Sequence, residues 1–172
     1  MRRASRVVAV AGVSLAAIAT GQLAMTGGWE GIRYQPYLDV GGVWTVCRGH
    51  TGPDVVPGRR YSPADCDALF WSDMAAKVDV PLARCLRPPR PLAPETVIAV
   101  RDWAFNVGGG AACGSTLVRL LNEGRTREAC GQLSRWVFVK GVAVRGLKNR
   151  RVDGLPGLIS ERALCLRGLK ED

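Results

Sequence analysis

The chain opens on an uncharged run from Val7 to Met25, preceded by Arg2, Arg3 and Arg6. Its 19 residues would make a helix of about 28 Å, just enough to cross a bilayer core. The run is weakly apolar: six Ala, Gly12, Gly21, Ser14, Thr20 and Gln22 dilute Leu15, Ile18, Leu23, Met25 and four Val. From Trp29 to about Tyr61 the pattern changes to short stretches broken by turn residues. Glu30 follows a helix-compatible stretch. Val40-Gly41-Gly42-Val43 carries a Gly-Gly pair between β-branched residues and predicts a hairpin, with Thr45 on its returning strand. Gly52-Pro53-Asp54 and Pro57-Gly58 mark further turns.

Helical spacing then takes over. Ser62 is a good N-cap with Pro63 at the first helical position, and Cys66, Leu69, Phe70, Met74 and Val78 recur along one face of a helix expected to end near Pro81. Arg87-Pro88-Pro89-Arg90-Pro91 reads as an extended connector. Pro94 starts a helix through Val97, Val100, Ala104 and Val107, stopped by Gly108-Gly109-Gly110. Leu117, Val118 and Leu121 give another, ended by Gly124. Thr126 opens a third through Ala129, Leu133 and Trp136, and Ser160 to Leu166 forms the last. Trp71, Trp103 and Trp136 fall on apolar helical faces and are expected in the core.

Composition narrows this picture. With 172 residues, 47% hydrophobic and 23% charged, the chain is neither disordered nor collagen-like. It carries 24 basic and 15 acidic residues, a net charge of +9, and the excess persists after residues 1–28. A basic body suits an anionic partner: nucleic acid, a membrane surface or a bacterial cell wall. No nucleic-acid motif accompanies the charge, so that partner is set aside. Six cysteines, at 47, 66, 85, 113, 130 and 165, include no CxxC, and His50 is the only histidine. A zinc site is therefore unsupported, and no metal or cofactor is expected. The cysteines read either as buried thiols or as three disulfides in an oxidising compartment. The N-terminus favours the second, with all 15 pairings open.

Three arginines before the apolar run keep the N-terminus cytoplasmic and send the rest of the chain across the membrane. The run could be a signal peptide cleaved after Ala17-Ile18-Ala19, a permanent anchor, or an anchor weak enough to leave the bilayer.

Glu30 and Asp39 supply two carboxyls in different surroundings, one at a helix end and one on a facing hairpin. That pairing suits glycoside hydrolysis, with one carboxyl donating a proton to the leaving oxygen and the other steering water. Spacing then becomes specific. Glu30, eight residues, Asp39, five residues and Thr45 match the Glu-x8-Asp-x5-Thr signature of the phage-type lysozymes, glycoside hydrolase family 24. Glu30-Gly31, Tyr37, Gly49-His50, Ala104-Phe105-Asn106-Val107-Gly108, Ser115-Thr116-Leu117, Leu133-Ser134-Arg135-Trp136 and Gly146-Leu147-Lys148-Asn149-Arg150-Arg151 occur in the family's order. Together with the N-terminal run, the chain resembles a signal-anchor-release endolysin of a lambdoid-type phage or prophage.

The resemblance implies an α+β, lysozyme-like fold: a small β-hairpin lobe (about 29–62) and a larger helical lobe (about 85–172), joined by a long helix (about 63–82). An apolar anchor helix within a 1–28 signal-anchor-release segment would precede the 29–172 lysozyme domain. It implies cleavage of the β-1,4 bond between N-acetylmuramic acid and N-acetylglucosamine in peptidoglycan, with Glu30 as general acid and Asp39 and Thr45 holding the attacking water, and hence inversion. Arg150 would contact Glu30, and His50 would pair with Asp73 as a structural partner. The protein would sit in the inner membrane of a Gram-negative host through residues 7–25, N-terminus in the cytoplasm, and then be released to the periplasm; we expect a monomer. The run 152–159 departs from the family, whose members pass almost directly from the basic motif into the last helix. The rival readings are a lytic transglycosylase, which needs no held water, and a non-catalytic, membrane-tethered basic module that binds the wall.

Overall fold

A computed structural model describes residues 15–39 and 41–169. The expected anchor over 7–25 thus lies partly outside the described residues. From Leu15 onward it is the first part of helix α1 (Leu15–Glu30), which runs without a break through residues 28 and 29. One face of α1, Ile18, Gln22, Met25 and Thr26, is buried. Those residues recur at helical spacing, and Ile18 and Met25 form an apolar cluster with Ile98. Gly21 allows the close approach: a Cβ there would lie 2.7 Å from Ile98 Cδ1. Among the described residues, no helix is long and apolar enough to cross a membrane.

Gly31, at φ +67°, ends α1, a backbone geometry that glycine adopts without steric cost. The chain turns directly into an antiparallel sheet of β1 (Arg33–Leu38), β2 (Trp44–Cys47) and β3 (His50–Thr51), in that order. Register pairs Leu38 with Trp44, Tyr37 with Thr45, and Val46 with His50. Between β2 and β3 the turn is tight, with Cys47 at φ +60° and Gly49 at φ +84°. A non-glycine residue in that region is strained and must be held by its surroundings. Cys47 is held by its disulfide to Cys66 and by the small-lobe core of Val46, Val55 and Tyr61.

Helix α2 (Pro63–Asp73) begins as the pattern requires. Ser62 accepts from Asp65 N at 3.1 Å while Asp65 accepts from Ser62 N at 2.8 Å, a reciprocal cap. Those bonds, with Arg59 nearby, hold the Asp65 carboxyl below its ordinary range. The helix does not end near Pro81. It passes through a π-helical turn (Met74–Asp79) into α3 (Val80–Cys85), where Pro81 sits in the first turn. Proline needs no amide partner there, so the wider turn absorbs it and the helical run continues to Cys85.

The larger lobe surrounds α4 (Pro94–Val107), whose Trp103 is fully buried among Met74, Val78, Leu117, Leu121 and Leu133. Trp136 meets Trp103 edge-on at 5.1 Å, and Trp71 packs against Phe70 at 4.8 Å, so all three helical tryptophans belong to the core. Around α4 lie α5 (Gly109–Cys113), α6 (Thr116–Asn122), α7 (Thr126–Gly131) and, after a short hairpin of β4 (Phe138–Val139) and β5 (Val142–Ala143), α8 (Arg145–Lys148) and α9 (Glu161–Arg167). Periodicity does not signal this hairpin, because its strands are two residues each. Nor does it signal α5, because the three glycines read as a stop.

The six cysteines form three disulfides, Cys47–Cys66, Cys85–Cys113 and Cys130–Cys165. They tie the sheet to α2, α3 to α5, and α7 to α9. Closing loops of 19, 28 and 35 residues contributes to stability, typically ~2–4 kcal/mol each.

Candidate active site

Glu30 is the last residue of α1, and its Oε1 lies 2.5 Å from Arg150 Nη1. The Glu30 side chain is 25% exposed and that of Arg150 only 7%, so a half-open carboxyl rests on a buried cation. Arg150 is fixed from behind. Its Nε and Nη2 donate to Asp102 at 3.3 and 3.2 Å, and its Nε also donates to Glu161 at 3.1 Å. Burial works against the charge of Arg150, but Asp102, Glu30 and Glu161 outweigh it and hold the guanidinium more firmly charged than in water. Arg151 donates to Glu161 and, through its other terminal nitrogen, to Asn106. Burial pulls Arg151 down, with Glu161 opposing. It pushes the Glu161 carboxyl up, with Arg151 opposing and Asp102 adding to the rise. Asp102 and Asn106 lie one turn apart on α4, Arg150 and Arg151 on a π-helical turn (Asn149–Asp153), and Glu161 at the start of α9.

Asp39 closes the β1–β2 turn. Its Oδ1 accepts from Gly41 N at 2.8 Å and Val43 N at 2.9 Å, and Gly42, at φ +74°, completes the bend. Thr45 is buried, and its Oγ1 donates to Val43 O at 3.0 Å. The Val43 residue therefore links the two side chains, one at its amide and one at its carbonyl. Glu30 and this pair share no direct contact among the described residues; they are joined by the short passage Gly31-Ile32 and strand β1.

His50 lies on β3. Its Nδ1 is 3.0 Å from Asp73 Oδ2, and its Nε2 is 3.1 Å from Asp54 Oδ1. Lys77 Nζ reaches Asp73 at 2.9 Å. The ring thus staples β3 and the following loop to α2. The bond from His50 holds the Asp54 carboxyl below its ordinary range. That support is present above the ordinary carboxylate range and is lost as pH falls through the lowered value.

The run 152–159 lies against the end of α1. Leu155 and Leu158 exchange backbone bonds of 2.9 and 2.8 Å around Pro156-Gly157. Trp29 Nε1 donates to Ile159 O at 3.3 Å, and Ile159 joins the apolar cluster beneath α1.

Asp102, Asn106, Arg151 and Glu161 do not stand out in the sequence as site residues. For Asp102 a signal exists: an acid on the otherwise apolar face of α4 needs a partner. Glu161 offers none, since an acid right after a Ser N-cap reads as ordinary helix capping.

A protein of this architecture, with a helix-end carboxyl against a buried arginine and an Asp–Thr pair on the hairpin that follows, falls in the class of the lysozymes. The sequence model of the phage lysozyme family matches residues 27–153, and the chain belongs to that family. It is an enzyme of peptidoglycan hydrolysis. It is 40% identical to a SAR-endolysin of Bacteriophage PS119 over 175 aligned residues, covering 98% of each chain. It is 39% identical to a SAR-endolysin of Enterobacteria phage P21, covering 95% of this chain and 96% of that one. Among solved structures it resembles the active form of P1 phage endolysin (TM-score 0.71, 25% identity, 93% of this chain and 97% of that one). It also resembles a P22 lysozyme (TM-score 0.70, 28% identity, 86% and 95%).

Proposed function

We propose that the chain is an endolysin that cuts the β-1,4 bond between N-acetylmuramic acid and N-acetylglucosamine by general acid catalysis and attack of a held water. The observation that carries this reading is the contact of Glu30 with Arg150. Arg150 donates to Oε1, so Oε2 is the oxygen left to carry the proton to the glycosidic oxygen. As the proton leaves, negative charge grows on Glu30 beside a preorganised guanidinium that needs no rearrangement to stabilise it.

Hydrogen-bond direction supports a place for the water. Asp39 Oδ1 is committed to the turn amides, which leaves Oδ2 to accept from water. Thr45 spends its hydroxyl proton on Val43 O, so its oxygen is an acceptor too. A water donating to both presents its lone pair to the anomeric carbon, on the face opposite Glu30, and the product is inverted. Thr45→Ala removes one of the two acceptors and is expected to lower kcat on purified peptidoglycan about tenfold or more with the hairpin intact. Unchanged kinetics would remove Thr45 from the reaction. A transglycosylase, which needs no held water, would tolerate the change.

The same reading includes a membrane stage. The names of the PS119 and P21 proteins denote signal-anchor-release endolysins, and α1 is what a released anchor should become. Gln22, which weakens insertion in a bilayer, and Thr26 are buried here, with Gln22 Nε2 donating to Thr26 Oγ1 at 3.0 Å. While residues 7–25 span the membrane, that face cannot pack on α4 and Glu30 cannot be set against Arg150. The anchored enzyme is inactive and the released enzyme active. Changing Gly12, Ser14 and Thr20 to Leu makes the anchor more apolar, and Thr20 lies on the exposed side of α1. Gly21 must be kept, because Ile98 occupies the space of its Cβ. Lysis should be lost, with the protein retained in the membrane fraction. Lysis on the normal schedule would contradict the release reading.

A further inference from the structure

The segment from Arg150 to Glu161 forms a bracket. Its two ends meet in the buried ion cluster, where Glu161 accepts from both Arg150 and Arg151. Its tip, the Leu155–Leu158 turn, lies on the last turn of α1. Gly154, at φ +76°, closes the bracket so tightly that a Cβ would lie 2.9 Å from Leu158 O. Leu158 sits over Gly28, where an added Cβ would lie 2.6 Å from Leu158 Cδ2. The next residue on each side makes a second contact, the Trp29 indole bond to Ile159 O. Gly28 and Trp29 immediately precede Glu30. One short bracket thus grips the helix end by a knob over a glycine and by a hydrogen bond, and carries at its base the arginine that touches the Glu30 carboxyl.

We propose that the 154–159 turn is a clasp whose Leu158 and Ile159 position Glu30, by fixing the rotation and depth of the last turn of α1 against Arg150. This rests on the reading of Glu30 as the acid. Leu158 and Trp29 are positioning residues and do not touch the reacting atoms. The clasp can close only when α1 lies against the body, so it also registers that α1 has docked. Small displacements of a reacting group are costly: about 1 Å can cost roughly 10²-fold in rate.

The test is a compensating pair read in kcat and KM on soluble peptidoglycan oligosaccharides, using the released full chain. Gly28→Leu fills the space that Leu158 occupies. On helix propensity alone this change would strengthen the helix, so any loss reports the collision. We expect kcat to fall about tenfold or more with KM within about twofold and the helical circular dichroism unchanged, on the scale set by displacement of a reacting group. Gly28→Leu combined with Leu158→Ala reopens the space and should recover most of that kcat. Trp29→Phe, which keeps the ring and removes the donor, should lower kcat a few-fold with KM held. A Gly28→Leu enzyme as fast as wild type, or a double variant no faster than the single one, overturns the clasp. Full activity of Glu30→Gln would instead overturn the acid assignment, so the two failures are told apart.

Discussion

Glu30→Gln is expected to abolish measurable lysis while leaving the protein folded, with kcat lowered by roughly 10²–10⁴-fold, the usual worth of general acid catalysis. The substitution is nearly isosteric, and the amide oxygen can still accept from Arg150 Nη1, so the 2.5 Å contact at the end of α1 has a replacement. The amide has no proton to give to a departing sugar oxygen. Because α1 also packs through Ile18, Met25 and Trp29, the helix has ample support apart from Glu30. Circular dichroism and thermal unfolding should therefore match wild type. A folded Glu30→Gln protein with near-normal turnover would sink the assignment.

The second large effect is on stability. Glu161 is fully buried and accepts from Arg150 and Arg151, and Arg151 is itself fully buried. Glu161→Leu removes the acid facing two guanidiniums. Arg150 keeps Asp102, but Arg151 is left with Asn106. Breaking one side of a buried ion pair costs about 3–5 kcal/mol, since the stranded charge has lost its compensation. That is a large fraction of the ~5–15 kcal/mol that holds a domain together. Urea unfolding should show a loss of stability of that size, and a loss under ~1 kcal/mol would mean the cluster is not balanced by Glu161. An exposed pair such as Arg119–Glu123 serves as the control, because ion pairs on the surface are worth little.

How much of the molecule is legible in its sequence depends on the range of the interactions involved. The start of α2 is legible because Ser62, Pro63 and Asp65 act within one turn. The hairpin at Asp39 is legible because Gly41 and Gly42 leave the chain few alternatives. The 8-and-5 spacing singles out Glu30, Asp39 and Thr45 as candidates because helix end, turn and strand succeed one another without interruption. Contacts across long separations are legible only where the family resemblance supplies them, as for Glu30 with Arg150 and His50 with Asp73. Asp102 and Glu161, which fix Arg150, belong to helices far apart in the chain, and no local pattern announces their meeting. The π-helical turn before Pro81 escapes the sequence for a related reason. Proline signals a break when its own neighbourhood is read alone, and here Lys77, Pro81 and Gly109 pack so closely that a Cβ on Gly109 would meet Pro81 at 2.4 Å. Tertiary packing, absent from the local signal, carries the helix onward. The Gly and Pro of 154–157 signal a break, but the contact of Leu158 with Gly28 lies more than a hundred residues away in the chain.

The most direct measurement is the end group made on purified Gram-negative peptidoglycan. The wild-type enzyme should release fragments ending in reducing N-acetylmuramic acid, at a rate that falls to background in Glu30→Gln. Fragments ending in the 1,6-anhydro sugar, or reducing ends still formed by the Glu30→Gln protein, would contradict water attack assisted by Asp39 and Thr45 with Glu30 as the acid.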